Sequence, residues 1–386
     1  MRTIDVDQHL FEARDTWAQY IDPSSRDDAL RIADDEAGWP WLTWRGRQLT
    51  PIEVPVPEQG KAIGDDRLRR LSGQPPRGSF EELVPAAYSS TAERLALLDR
   101  FGFDAAVLFP NYGLLWEKML AEDRTAQRAN ARAYNRFMAD SVSDGQGRLF
   151  GVAHVFLHDP QWAVEEIRRI SADGVRLAMI SPAPVHGKPL SHADFEPVWR
   201  AFSEEGVAPV FHVSGFESPI DPAWHMGETE DGGLFLDSIF LWLAPALAVS
   251  NLILSGTLER FPDLRVGVVE LTAGWVPSFL LHLDGASDFF AERHGGPFLP
   301  LRERPSTYFF RQVRVAALPY EMPNRLVGSV GEDTFMVGSD WPHAEGVADP
   351  FASAERAAAG LSDVAKEKLL GDNAAWLLGL DGSALQ

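Results

Sequence analysis

The chain has 386 residues, of which 45% are hydrophobic and 24% charged, and its net charge is −21. This balance is typical of a globular protein and excludes a disordered or fibrous chain. Nucleic acids and anionic membrane surfaces both bind clustered Lys and Arg, so the acidic charge argues against either partner. The chain has no cysteine, which excludes disulfides, thiolate metal sites and a cysteine nucleophile.

The sequence indicates neither a membrane span nor a secretion signal. No run of about 18 apolar residues is present, which is the length a transmembrane helix needs. The first residues, MRTIDVDQHLFE, place acids where a signal peptide has its apolar region. We therefore expect a cytoplasmic protein.

Short apolar strands alternate with amphipathic helices along the chain. Such alternation predicts parallel strands that are connected by crossover helices. Strands are predicted at residues 2–9, 104–109, 150–156, 175–180, 209–213, 265–270, 307–312 and 334–340. Helices are predicted at residues 91–101, 123–144, 159–172, 193–205 and 234–260.

Eight strand–helix units can be counted, and they predict an α/β fold. We expect a closed (β/α)8 barrel, a TIM barrel, that forms a single domain over residues 1–386. The alternative is an open doubly wound sheet. That fold would be supported by a glycine-rich phosphate loop after the first strand, and the sequence has none there.

Residues 24–87 do not fit the alternation and are interpreted as an insertion after the first strand. The segment contains WPWLTWRGRQL, in which a hairpin around Arg45 and Gly46 is expected. Three tryptophans, Trp39, Trp41 and Trp44, argue against disorder. We predict that the insertion is a cap over the barrel mouth; the alternative is packing on the outer wall.

Ionisable residues lie at the ends of four of the predicted strands. In parallel barrels the catalytic residues lie at the C-terminal ends of the strands, and residues i and i+2 of a strand share a face. A lone Asp after a strand is usually a helix cap and a lone His is usually a core residue. Several carboxylates buried together, however, require a compensating cation. We therefore predict a metal site built from Asp7, His9, Glu12, His212, Glu270 and Asp340, with His343 in reserve.

Ordered motifs run along nearly the whole chain outside the insertion. They are IDVDQHLFE, RLALLDRFGFDAAVLFP, AYNRFMAD, RLFGVAHV, LERFPDLRVGVVE, MVGSDWPH and LLGDNAAWLLGL. These motifs resemble those of the amidohydrolase-related metalloenzymes, the branch of the amidohydrolase superfamily that includes aminocarboxymuconate-semialdehyde and resorcylate-type decarboxylases. The resemblance implies a distorted barrel and a homodimer. It also implies a divalent metal on Asp7, His9, His212 and Asp340.

The chain departs from these decarboxylases at one position. Where they have a His followed three residues later by Glu, this sequence reads Glu270-Leu271-Thr272-Ala273. The missing His argues against non-oxidative decarboxylation. Glu270 adds a carboxylate, so the ligand set exceeds what one tetrahedral zinc needs and suits Fe or Mn as well. In this the chain resembles the non-heme di-iron monooxygenases of diterpenoid (platensimycin-type) biosynthesis.

The sequence is compatible with three functions. The favoured hypothesis is a monooxygenase with two Fe ions that hydroxylates a bulky apolar small molecule, with Glu270 and Glu12 on the second ion. Residues 233–249 would then line an apolar pocket, although an ordinary buried helix is the alternative. The second hypothesis is a mononuclear Zn or Mn hydrolase or decarboxylase in which Asp340 is the general base, with His212 and Glu270 beside it. The third is a barrel without catalytic activity.

Overall fold

The computed structural model describes residues 2–56, 63–114, 116–225, 230–297, 299–343 and 349–380. Eight parallel strands form one sheet in the order β1-β5-β6-β7-β8-β9-β10-β11. Their bounds are β1 Ile4–Leu10, β5 Ala105–Pro110, β6 Leu149–His154, β7 Leu177–Ile180, β8 Ala208–Phe211, β9 Val266–Val268, β10 Val313–Ala317 and β11 Phe335–Val337. A second sheet contains β2 Arg31–Asp34, β3 Pro40–Trp44 and β4 Arg47–Pro51.

Helices connect the strands and surround the sheet. The first half of the chain contains α1 Thr16–Tyr20, α2 Ile63–Leu71, α3 Phe80–Leu83, α4 Ala86–Ser89, α5 Thr91–Phe101, α6 Trp116–Met119, α7 Arg124–Ser143 and α8 Pro160–Ala172. The second half contains α9 Glu196–Glu205, α10 Glu230–Ile239, α11 Leu243–Leu254, α12 Thr257–Arg260, α13 Val276–His294, α14 Pro305–Gln312, α15 Pro323–Val330, α16 Pro350–Ala357, α17 Asp363–Glu367 and α18 Asn373–Leu377. No helix in the described ranges is long and apolar enough to cross a membrane.

The eight-stranded sheet closes between its first and last strands. The backbone N–H of His9 donates to the carbonyl of Trp341 at 2.9 Å, just beyond the end of β11. Gln8 and Trp341 form a parallel bridge at the same place. The predicted α/β barrel is therefore confirmed.

Two apolar layers hold the barrel together. Because alternate residues of a strand face opposite sides, one set points into the barrel and the other toward the helices. The inner layer includes Ile4, Val6, Val107 and Val210, and α18 packs against it. The outer layer packs strand residues such as Leu108 against the surrounding helices.

The predicted strand at residues 307–312 is wrong, because that segment is the helix α14. Pro305 occupies the first turn, where its missing N–H is tolerated. Tyr308, Phe309 and Gln312 are buried at helical spacing. The strand follows immediately as β10, whose five residues are all buried. The sequence pattern therefore placed the strand on the residues of the helix that directly precedes it.

The insertion contains the expected hairpin. Strands β3 and β4 pair antiparallel on either side of Arg45 and Gly46. Both residues have positive φ angles, 49° and 76°, as the tight turns preferred in hairpins require. The insertion packs against the barrel through Asn130 of α7, whose side chain accepts from the N–H of Leu30 at 2.8 Å.

The three tryptophans contact groups within the insertion. The Trp39 indole donates to the Gln74 carbonyl at 3.2 Å, and the Trp41 indole donates to Asp35 at 2.9 Å. The guanidinium of Arg45 stacks over Trp44. These contacts give the insertion its own packing. Its role as a cap over the site stays a prediction.

Candidate metal centre

Six ionisable side chains meet at the C-terminal mouth of the barrel, and we call them the strand-end cluster. They come from or just after four strands, β1, β8, β9 and β11, and each is at most 9% exposed. Their ligand atoms form three groups in which all atoms lie within 4.8 Å of one another. The members of the strand-end cluster are Asp7, His9, His212, Glu270, Asp340 and His343.

Short distances between imidazole nitrogens and carboxylate oxygens define the geometry of the cluster. His9 Nε2 lies 3.1 Å from Asp340 Oδ1 and 3.7 Å from Asp7 Oδ1. His212 Nε2 lies 3.4 Å from Asp7 Oδ1 and 3.1 Å from Glu270 Oε2. Both imidazoles therefore direct Nε2 toward Asp7, while each also faces a second carboxylate of the cluster.

Backbone carbonyls fix the orientation of these two rings. His9 Nδ1 lies 2.7 Å from the Pro110 carbonyl, and His212 Nδ1 lies 2.8 Å from the Val213 carbonyl. A carbonyl only accepts, so each Nδ1 carries the proton and donates it. In each ring Nε2 is then the nitrogen that faces the cluster. Metal-binding histidines are held in this way.

The electrostatics of the cluster favour neutral His9 and ionised Asp340. Burial lowers the pKa of His9 to about 4, and the nearby His343 acts in the same direction. Burial alone would raise the pKa of Asp340, but the charge and hydrogen bond of His343, together with His9, hold it below its usual range. Neutral imidazole and ionised carboxylate are the forms that bind metal ions.

Three buried atoms of the cluster indicate what is needed to complete it. Asp7 Oδ2, His9 Nε2 and Asp340 Oδ2 have no hydrogen-bond partner within the described ranges. Buried carboxylates without compensation are costly. A divalent cation would accept these atoms as ligands and offset the negative charge. Carboxylate oxygens with imidazole suit Mn, Fe or Zn.

The backbone is strained where two of the carboxylates are positioned. Glu270 has a φ of 56° and Asp340 a φ of 52°, both in the left-handed region. Such conformations cost roughly 1–3 kcal/mol for a residue other than glycine and are concentrated at functional sites.

At Gly338, a Cβ atom would lie 2.8 Å from the Cβ of Asp7. Only glycine allows β1 and the end of β11 to approach this closely.

His343 forms a link that its reserve status in the sequence did not predict. Its Nδ1 lies 2.7 Å from Asp340 Oδ1, and its Nε2 lies 2.8 Å from Asn111 Oδ1. Asn111 was missed entirely. The available signal was its place as the first polar residue after the buried strand β5. Asp340, His343 and Asn111 thus form a chain of hydrogen bonds leading away from the cluster.

A buried arginine supports the two strands that close the barrel. Arg94 Nη2 donates to the His9 carbonyl at 2.6 Å, and Nη1 donates to Gln8 Oε1 at 3.1 Å. Its guanidinium also stacks over the ring of Trp341 at 4.6 Å. Arg94 therefore fixes β1 against the end of β11, where His9 and Asp340 meet.

Glu12 is not brought into the strand-end cluster. Its two carboxylate oxygens accept the backbone N–H groups of Tyr112 and Gly113, both at 2.9 Å. It lies in the loop after β1, and its side chain is bound to the turn after β5 rather than to the strand-end cluster. Burial raises the pKa of Glu12 to about 7. Its contacts are those of a residue that caps a turn.

We expect Glu12→Gln to leave the metal content unchanged and to destabilise the fold. Both carboxyl oxygens of Glu12 can accept a hydrogen bond even when one is protonated, whereas the amide NH₂ of Gln cannot, so one backbone N–H loses its partner at a cost of about 1–3 kcal/mol. Urea unfolding and metal analysis measure the two effects. Loss of metal with unchanged stability would instead make Glu12 a ligand.

The pH dependence gives a second measurement on the same variant. The folded-state pKa of Glu12 is raised from 4.5 to about 7, so the protonated form is the one that folding favours. Its contribution to stability is complete below pH 4.5 and is lost as the pH rises through about 7. The difference in unfolding free energy between wild type and Glu12→Gln should therefore narrow from pH 5 to pH 8.

His154 lies within the strand predicted at residues 150–156; it is the last residue of β6 and belongs to a second polar group. Its Nε2 lies 2.8 Å from Glu117 Oε2, and Glu117 Oε1 lies 3.4 Å from His158 Nδ1. Glu117 and His158 line a cavity of about 770 Å³. Residues after β6, β7 and β8 line it too, but no member of the strand-end cluster does.

Part of the segment that was predicted to line an apolar pocket lines this cavity, whose other lining residues include charged ones. Of residues 233–249, Ala244, Leu247 and Ala248 of α11 line this cavity. The side chains of residues 233 and 234 lie outside the described ones.

Barrels that gather ionisable side chains at the carboxyl ends of their parallel strands define a large class of enzymes, and buried carboxylate–imidazole sets mark the metal-dependent ones among them. The sequence profile described as Amidohydrolase matches residues 4–380. The chain belongs to the amidohydrolase family. A search of the curated proteins finds no match.

Solved structures with the same fold cover the full chain. An amidohydrolase from Mycobacterium avium subsp. paratuberculosis is 26% identical, with 98% of this chain and 99% of that one covered and a TM-score of 0.77. A 5-carboxyvanillate decarboxylase from Sphingomonas paucimobilis is 20% identical, with 98% and 99% covered and a TM-score of 0.61. A dihydroxybenzoic acid decarboxylase from Polaromonas sp., with bound manganese and the inhibitor 2-nitroresorcinol, is 16% identical, with 98% and 97% covered and a TM-score of 0.59.

Proposed function

We propose that this protein uses one divalent cation, Mn or Zn, to cleave a small-molecule substrate without oxygen. Hydrolysis is the first candidate reaction. The observation that carries the proposal is the buried strand-end cluster, in which His9 and His212 direct Nε2 at the surrounding carboxylates and Asp340 is held ionised. The bound cation would supply Lewis-acid polarisation of a substrate oxygen. Asp7, His9, His212 and Asp340 would hold it.

The chain's own residues provide the proton chemistry. Asp340 is ionised and accepts a hydrogen bond from His343, which lies in turn against Asn111. A proton that Asp340 removes from an attacking water can therefore be retained within the Asp340–His343 pair until the leaving group needs it. This is the arrangement that general acid–base catalysis requires. Hydrolysis needs no histidine at the position of Glu270.

Non-oxidative decarboxylation is the second candidate. Two of the solved structures named above are decarboxylases of aromatic acids, and both align over the full chain. Burial of the mouth of the barrel would favour loss of a carboxylate by removing water from it. Glu270 in place of the expected His weighs against this candidate.

The di-iron monooxygenase hypothesis receives less support. Its second ion depended on Glu12, and that carboxylate accepts two backbone N–H groups outside the cluster. None of the solved structures named above is an oxygenase. One metal ion and oxygen-independent turnover are therefore the expected properties.

An anaerobic assay tests the proposal. The Mn-loaded and Zn-loaded proteins are incubated with panels of esters, amides and lactones and of aromatic carboxylic acids, in ¹⁸O-labelled water. Incorporation of ¹⁸O into an acid product supports hydrolysis, and release of CO₂ supports decarboxylation. Turnover that appears only with oxygen and a reductant, on protein with two irons, would contradict both candidates.

The metal content of Glu270→Ala separates one-ion from two-ion sites. Glu270 Oε2 lies 3.1 Å from His212 Nε2, at the edge of the proposed ligand set. In a mononuclear site the variant should keep its metal and lose activity because a substrate or proton contact is removed. Loss of one of two metal ions per chain would restore the dinuclear hypothesis.

A further inference from the structure

The cavity lined by residues that follow β6, β7 and β8 has the size of a small-molecule site. Its volume of about 770 Å³ falls within the range of roughly 300–1,000 Å³ that is typical of ligand pockets. We call it the side cavity and define it by Arg124, His158, His186, Phe216 and Leu247.

One wall of the side cavity carries a cation without a counter-charge. Arg124 Nη1 donates to Gln127 Oε1 at 3.0 Å, and Nη2 lies 3.4 Å from His186 Nε2. Within the described ranges no carboxylate lies within 4.0 Å of this guanidinium. One turn along α7, Arg128 pairs with Asp159 at 2.7 Å. In a chain with a net charge of −21, an arginine that faces a cavity without an acid partner points to an anionic ligand.

The other polar groups on this wall leave Arg124 available. The carboxylate of Glu117 is engaged by His154 and lies near His158. The ring of His158 packs edge-on against that of His186 at 5.2 Å. Burial and the nearby Arg124 lower the pKa of His158, although Glu117 opposes this shift. Lys118 also lines the cavity and adds a second positive charge, while Glu217 lies exposed at its edge.

Other residues that line the side cavity are apolar. Leu157, Phe216, Ala244, Leu247 and Ala248 supply aliphatic and aromatic surface. Leu247 is 52% exposed, so much of its apolar surface is open to a ligand. The positive charge of Arg124 and the apolar lining residues together suit a molecule with an apolar body and an anionic end.

The side cavity also borders the loop that carries a predicted metal ligand. Phe216 follows His212 in the segment after β8, and the N–H of Gly215 donates to the Leu114 carbonyl at 3.2 Å. The ring of Phe109 stacks on His212 at 4.0 Å. A ligand in the side cavity would therefore lie against the segment that leads to the strand-end cluster.

We propose that the side cavity binds the distal end of the substrate, and that this end is a carboxylate attached to a bulky apolar body. The inference rests on the proposed function for calling the ligand a substrate, but not for the binding itself. The planar guanidinium of Arg124 matches a carboxylate in a bidentate manner. The apolar body lies against Phe216 and Leu247 and extends toward the metal ligands.

Calorimetric binding of three probes tests the inference: decanoate, decanol and decyl phosphate. Arg124→Gln should weaken decanoate binding about 10- to 100-fold, because a hydrogen bond to a charged group contributes about 1.5–3 kcal/mol. Decanol binding should change less than about twofold. Arg128→Gln is the matched control on the same helix and should leave all three affinities unchanged. Leu247→Asp should weaken both decanoate and decanol.

Equal decanoate affinity in wild type and Arg124→Gln would overturn the proposal. Tighter and more Arg124-dependent binding of decyl phosphate would overturn its assignment to a carboxylate. The measurements are made on both metal-loaded and metal-stripped protein. If both forms bind decanoate but the metal-loaded protein turns over no substrate of either panel, the proposed function is wrong and the assignment of the side cavity stands.

Discussion

Replacing Asp340 by Asn should lower turnover by about 10²- to 10⁴-fold, the usual contribution of a positioned acid or base. Asp340 is ionised because His343 and His9 hold its pKa below the ordinary range. Asparagine keeps an oxygen in the same place but cannot take up a proton. Metal binding should weaken less than turnover, because the oxygen ligand remains. Steady-state kinetics and metal analysis on the same preparation measure the two effects.

Asp333→Asn is the control for this experiment. Asp333 lies at the opposite end of β11, where it pairs with Lys368 at 2.8 Å and is 60% exposed. Its substitution should leave both turnover and metal content close to wild type. If Asp340→Asn retained turnover within tenfold of wild type, Asp340 would be at most a ligand, and the base would have to be sought elsewhere in the cluster.

Replacing His212 by Ala should remove the metal. The ring has its Nδ1 proton fixed on the Val213 carbonyl and its Nε2 directed at Asp7 and Glu270. Loss of a residue that merely orients a ligand typically costs 10- to 100-fold in metal affinity, so loss of the ligand itself should exceed about 100-fold. Equilibrium dialysis against Mn or Zn measures the affinity.

His282→Ala serves as its matched control. His282 is exposed on α13, outside the strand-end cluster. Its loss should leave metal affinity unchanged. A stable His212→Ala protein with wild-type affinity would show that the cluster does not use this imidazole.

The barrel could be predicted from the sequence because its signals are local. Each strand is a short apolar run with a helix after it, and ionisable residues directly follow four of the runs. Catalytic residues of parallel barrels lie at the C-terminal ends of the strands, which predicted that Asp7, His9, His212 and Asp340 lie in one region. The structure brings them together. The helix α14 was misassigned, since aromatic residues such as Tyr308 and Phe309 suit a buried helix and a strand equally well.

The rest of the site depends on contacts between segments far apart in the sequence. The side-chain orientation of Glu12 is determined by backbone N–H groups of the turn after β5, and no local sequence pattern predicts these contacts. The link from Asp340 through His343 to Asn111 depends on a hydrogen bond between residues 232 positions apart in the sequence. The side cavity likewise has walls from several loops and α11, so only the folded chain displays it.

The closure between β1 and the end of β11 also ties metal uptake to the completion of folding. Asp7 and His9 come from the first strand, whereas Asp340 follows the last one, and Arg94 clamps the junction. Contacts between such distant segments form late, because loop closure must come first. A nascent or nicked chain without the last strand lacks Asp340, so it cannot assemble the full ligand set. The cation would then bind the native state selectively and stabilise it by mass action. Bound metal would then stabilise the closed barrel, and only chains with all eight strands in place would bind it tightly.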